Sequence, residues 1–117
     1  MSERIRGPAS PGPTIQGLEV TSIDAAEGED GRGQVVPARR PVALDVIADA
    51  WPGRALDPAL HVGQELVFRR YRHPGPGVLR FVAADADALP AGEAVFLQWG
   101  DDARSRVQVS AALEVPR

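Results

Sequence analysis

The sequence predicts an all-β fold, a sandwich of seven to eight short antiparallel strands, and three observations carry that prediction. Turn signals built from Gly, Pro, Asp and Ser recur every eight to twelve residues. Between them, apolar and polar residues alternate with a period of two, as strands with one buried face require. No interval between turns offers a helix more than about two turns, so an architecture with crossover helices is excluded. The 12 glycines and 11 prolines suit a turn-rich chain, and 44% hydrophobic with 25% charged residues is the balance of one globular core. A chain of 117 residues has room for a single such core.

Residues 1–13 hold Pro8, Pro11, Pro13, Gly7 and Gly12 with little to bury, and read as a flexible arm before a domain over 14–117. Ile15 to Ile23 forms a first strand with Leu18 and Val20 on one face and a bulge at Gly17. Glu27 to Gly33 reads as a polar, glycine-rich loop, the most flexible internal stretch. Gln34-Val35-Val36 makes a short edge piece before Pro37. Val42 to Asp49 alternates cleanly, with Val42, Leu44, Val46 and Ala48 on one face and Asp45 and Asp49 on the other. A turn at Leu56-Asp57-Pro58 leads into a short strand at Leu60-His61-Val62.

Glu65 to Arg72 reads as one longer strand, ended by His73-Pro74-Gly75-Pro76-Gly77, and Val78 to Ala83 returns from that hairpin. Asp85 to Pro90 fits a single helical turn. Val95 to Trp99 and Arg106 to Ser110 are strands joined around Gly100, and Leu113-Glu114-Val115 supplies a last edge. The expected core is Leu18, Val20, Leu44, Val46, Leu66, Phe68, Phe81, Val95, Leu97, Val107 and Val109.

Composition excludes several classes of function. Without cysteine there is no disulfide scaffold, thiolate-ligated metal or thiol nucleophile. A net charge of −3 disfavours a general nucleic-acid binder, which needs an excess of cations. No apolar run approaches the roughly 20 residues of a membrane span, and the N-terminus lacks a secretory apolar region. The expected compartment is the cytoplasm, with incorporation into a larger particle leaving the same signature. All 13 basic residues are Arg and Asn is absent, as the codon bias of a GC-rich genome would produce.

Motifs for chemistry are sparse. His61 and His73 are the only histidines, and no spacing brings them together as metal ligands with Asp57 or Asp85. Asp85-x-Asp87 begins like a calcium loop, but Leu89 takes the third slot and no closing Glu follows. No serine lies in a Gly-x-Ser-x-Gly elbow, and the glycines of Gly28 to Gly33 lack the lysine of a phosphate loop. Neither an enzyme nor a cofactor is expected.

The sharpest local feature is Arg69-Arg70-Tyr71-Arg72, with Arg80 on the returning strand. A turn over 73–77 would set Arg72 opposite Val78 and Arg70 opposite Arg80, a like-charge pair that an acidic partner would relieve. Arg and Tyr together are the side chains of interface hot spots. A charge-guarded sheet edge accounts for the same pattern. Trp51, beside Pro52-Gly53 at a strand end, either plugs the core or contacts a partner or a sugar, while Trp99 belongs with Val95 and Leu97 at the core edge.

Pro13-Thr14-Ile15, the strand from Leu44 to Trp51, Leu60-His61-Val62-Gly63, Leu89-Pro90-Ala91-Gly92 and Val95-Phe96-Leu97 follow one another in an order that resembles the immunoglobulin-like IPT/TIG domains. The resemblance spans about residues 13–115. It implies an immunoglobulin-like sandwich without catalysis, used for binding, spacing or dimerisation. The expected function is therefore a structural or interaction module, an accessory subunit docking onto a larger assembly such as a phage-like particle. Its expected contacts are Arg69, Arg70, Tyr71, Arg72, Arg80 and Trp51, toward a protein partner or a second copy. A carbohydrate- or polyanion-binding module is the alternative.

Overall fold

The computed structural model describes residues 14–49 and 57–116. Among them ten strands form two sheets around one core: β1 (Ile15–Ser22), β2 (Glu27–Glu29), β3 (Val35–Pro37), β4 (Val42–Ala48), β5 (Pro58–Val62), β6 (Leu66–Phe68), β7 (Tyr71–Arg72), β8 (Val78–Ala83), β9 (Val95–Trp99) and β10 (Val107–Ser110). The larger sheet runs β1-β4-β8-β2-β3, with β7 also paired to β8. The smaller runs β10-β9-β5-β6. All ladders are antiparallel except β2 with β8, which meet in parallel at Glu29 and Ala83. The expected arm over 1–13 and Trp51 lie outside the described residues.

The even-numbered apolar positions of β4 (Val42, Leu44, Val46) face Leu60 and Val62 of β5 and Val95 and Leu97 of β9 across the core. Each such side chain, fully buried, contributes roughly 1.5–3 kcal/mol of transfer free energy. Phe68 and Phe81 are the largest fully buried side chains and come from different sheets. The bulge expected at Gly17 is present as a register shift between Ile15 and Gly17. Asp85 to Pro90 contains the expected single turn, a 3-10 turn over Ala86–Ala88 capped by the Asp85 carboxylate. No helix among the described residues is long and apolar enough to cross a membrane.

Several expectations need correction. Glu27 to Gly33 is not simply a loop: Glu27–Glu29 is β2, and Gly28, Glu29 and Gly31 are buried. Glycine permits this packing, because a Cβ on Gly28 would stand 2.8 Å from the backbone N of Ala84. Gly31, at φ +79°, lies against Leu66 and Phe68. The stretch Glu65 to Arg72 is two strands in two sheets rather than one, since the chain leaves the smaller sheet after Phe68 and joins the larger at Tyr71.

Leu113 to Val115 is not a strand, although Leu113 is buried and bonds by its backbone to Gly92 and Glu93. Val107 is 42% exposed, because β10 is the last strand of its sheet and nothing continues the core past it. Leu18 and Val20, on the edge strand β1, are packed against the core but only partly buried, for the same reason.

Candidate arginine-rich docking site

The site is built where the chain changes sheets. Val67 still belongs to β6, and its amide is held by the Gly31 carbonyl at 2.9 Å. The first two amides beyond β6, Arg69 and Arg70, belong to no strand. The buried Glu29 carboxylate accepts both: Arg69 N–H at 2.9 and 3.1 Å, and Arg70 N–H at 2.8 Å. A charged acceptor replaces the missing ladder and fixes where β7 begins.

The register of the hairpin differs from the one expected. Tyr71 faces Phe81 and Arg72 faces Arg80, so the pairing is offset by two residues from the expected Arg72 with Val78 and Arg70 with Arg80. The reason lies in the turn. The Gly75 carbonyl takes the Val78 amide at 3.2 Å, and His73 Nδ1 lies 3.1 Å from the Val78 carbonyl. Val78 is thereby used up within the connection, and pairing starts only at Arg72.

Alternation then sorts the cluster by face. Phe81 is fully buried, so Tyr71 opposite it turns toward the core, in edge contact with His73 at 5.7 Å. Arg72 and Arg80 turn outward. The expected Arg–Tyr combination on one surface is therefore separated by the pleat. Across the outer face of the larger sheet, Glu19, Asp45, Arg80 and Arg72 form a row over β1, β4, β8 and β7.

Arg80 is committed within this row. Its Nε and Nη2 donate to the two oxygens of Asp45 at 2.8 and 2.9 Å. The Asp45 bonds push the Arg80 guanidinium above its ordinary value, against the opposing effect of burial. Asp45, expected on the open face of its strand, is only 7% exposed because Arg80 lies over it. The like-charge contact between Arg72 and Arg80 is offset by this carboxylate.

Of the nine arginines among the described residues, Arg32, Arg39, Arg40, Arg80 and Arg104 each form an ion pair with a carboxylate. Arg69, Arg70, Arg72 and Arg106 form none with a described residue. Arg39 and Arg40 pair with Asp85 and Asp87, which occupies the carboxylates that resemble a calcium loop. Arg70 and Arg72 line an open cleft of ≈ 490 Å³ between β7 and β2. Arg80 and Val82 line it too, together with the acids Asp24, Glu27 and Glu29.

His61 and His73 lie in different sheets, His61 on β5 and His73 beside β7. No cluster of three or more His, Asp or Glu able to hold a metal occurs among the described residues. Trp99 is partly buried against the core, at the β9 position paired with Pro58. Sequence reasoning missed Glu29, Asp45, Phe96 and Arg106. Asp45 alone carried a legible signal, an acid on a strand that pairs with an arginine-bearing neighbour. Compared with protein-family models, with curated proteins and with solved structures, the chain matches none.

Proposed function

We propose that this chain is a non-enzymatic interaction module, an immunoglobulin-like sandwich of IPT/TIG type that docks as an accessory subunit onto a larger protein assembly. The observation that carries the reading is the pair Arg70 and Arg72. Both are exposed, and neither guanidinium has a carboxylate partner among the described residues, in a chain whose acidic residues outnumber its basic ones by 16 to 13. Their neighbour Arg80 is occupied by the Asp45 carboxylate, while the charges of Arg70 and Arg72 stay available. Exposed arginines without a counter-charge favour an acidic protein surface.

The acids that line the cleft, Asp24 and Glu27, work against a long polyanion and in favour of a protein surface carrying both signs. Affinity capture with the whole chain as bait, followed by the Arg70→Glu/Arg72→Glu variant, tests the reading. A large partner that is retained by the native chain and lost by the variant supports docking. Recovery of no partner, or tight heparin binding that disappears with the same variant, removes it in favour of nothing or of a polyanion module.

A further inference from the structure

The arginine run divides between two surfaces, and the second surface lies on the smaller sheet. Leu60 and Leu97 are fully buried in the core, so their neighbours His61 and Phe96 turn to the opposite, outer face. There Val67, His61, Phe96 and Gln108 form one row across β6, β5, β9 and β10. Arg106 lies over the Phe96 ring, 5.7 Å from its centroid, and donates from Nε and Nη2 to Gln98 Oε1 at 3.1 and 2.8 Å. Arg69 leads away from β6 on the other side of His61. Burial first, and then the charges of Arg106 and Arg69, hold that imidazole below its ordinary value.

We propose that this outer face is a docking surface for an acidic segment of a protein partner, with Arg69 and Arg106 receiving carboxylates on either side of an apolar floor of Phe96 and Val67. Three features point to it. Arg106 is exposed yet held in place by neutral groups only, an aromatic ring and an amide oxygen, which leaves its charge without a carboxylate partner among the described residues. The Arg69 guanidinium likewise has no carboxylate partner among the described residues, although the chain has acids in excess. His61 Nε2 is buried with no hydrogen-bond partner, the one such side-chain atom recorded among the described residues. A buried polar atom left unpaired lowers stability, and the ring that carries it feels both cations and pairs with Phe96 and Val67 in the same row.

A protein segment fits better than nucleic acid. Two cations over an apolar floor suit alternating acidic and aliphatic side chains, whereas phosphate tracking needs a longer basic track on a chain that is not net negative. This surface is independent of the Arg70–Arg72 cleft, which opens on the other sheet, so the two readings fail separately.

Nuclear magnetic resonance titration of the whole chain with a short peptide alternating glutamate and valine tests it. Shifts are expected at His61, Val67, Phe96, Gln98 and the Arg106 Nε–H. Arg69→Glu, which alters only an exposed side chain, and Arg106→Glu should each weaken binding about tenfold. Arg70→Glu should leave it unchanged. The proposal is overturned if the glutamine version of the peptide shifts the same signals, if no shift occurs on this face, or if the shifts fall on the Arg70–Arg72 cleft. It is equally overturned if heparin or a single-stranded oligonucleotide binds the face more tightly than the peptide.

Discussion

The Glu29 carboxylate receives the Arg70 amide at 2.8 Å, and the chain passes from one sheet to the other at that bond. Glu29 also takes the Arg69 amide and is 7% exposed, so its removal leaves two backbone donors without partners in a dry site. Glu29→Ala should destabilise the fold by about 2–3 kcal/mol, as loss of hydrogen bonds to a charged group does. Urea unfolding at neutral pH measures it. A loss under about 0.5 kcal/mol, the size of an ordinary surface change, would mean water serves those amides equally well.

Gly31 holds a positive φ of +79° and would place a Cβ 3.0 Å from the Leu66 Cβ. Both the backbone and the space oppose a side chain. Gly31→Ala should cost about 1–3 kcal/mol through overpacking and strain. Gly33 has φ +98° but nothing within 4 Å, so Gly33→Ala should cost less, and comparing the two melting curves separates crowding from conformation.

Asp45 and Arg80 join by two bonds at a site where the acid is buried and the guanidinium one third exposed. Asp45→Ala strands the Arg80 charge beside Arg72 and should destabilise by about 1–3 kcal/mol, below the cost for a fully buried pair. Adding Arg80→Met should recover part of that loss. A double-mutant cycle with no coupling would show that the row of charges is held by the backbone alone.

Burial, Arg106 and Arg69 hold the His61 pKa below 6.5 in the folded chain. Protonation is then easier in the unfolded chain, so the unfolded state carries more bound protons as pH falls below the ordinary histidine range. Stability from His61 is full above about pH 7 and is lost as pH drops through 6.5 toward the folded value. Imidazole proton shifts followed against pH should place His61 below its model-peptide value. His61→Gln should flatten this part of the stability profile.

Much of the sheet layout was legible because alternation in Val42 to Ala48 and Val78 to Ala83 is undiluted, and the pleat leaves such segments one orientation. The strand switch at Arg69 was not. Period two runs straight through Leu66, Phe68 and Arg70, and only the Glu29 carboxylate, 40 residues away in sequence from Arg69, reveals the break. For the same reason the hairpin register was misjudged: it depends on a turn closed by Gly75 and His73, and composition does not specify which amide a turn consumes. The cationic cluster was visible as residues but not as surfaces. Arg80 neutralised by Asp45, Tyr71 turned inward and Arg69 separated from Arg72 are consequences of pairing, which a single strand cannot display.

The segment from Leu66 to Arg72 acts as a brace, anchored at one end beside β5 and at the other beside β8. A load applied to Arg70 by anything bound there is transmitted along covalent backbone into both layers at once. Peeling either layer therefore strains the other, and the molecule resists as a unit where two separately hinged sheets would open in turn.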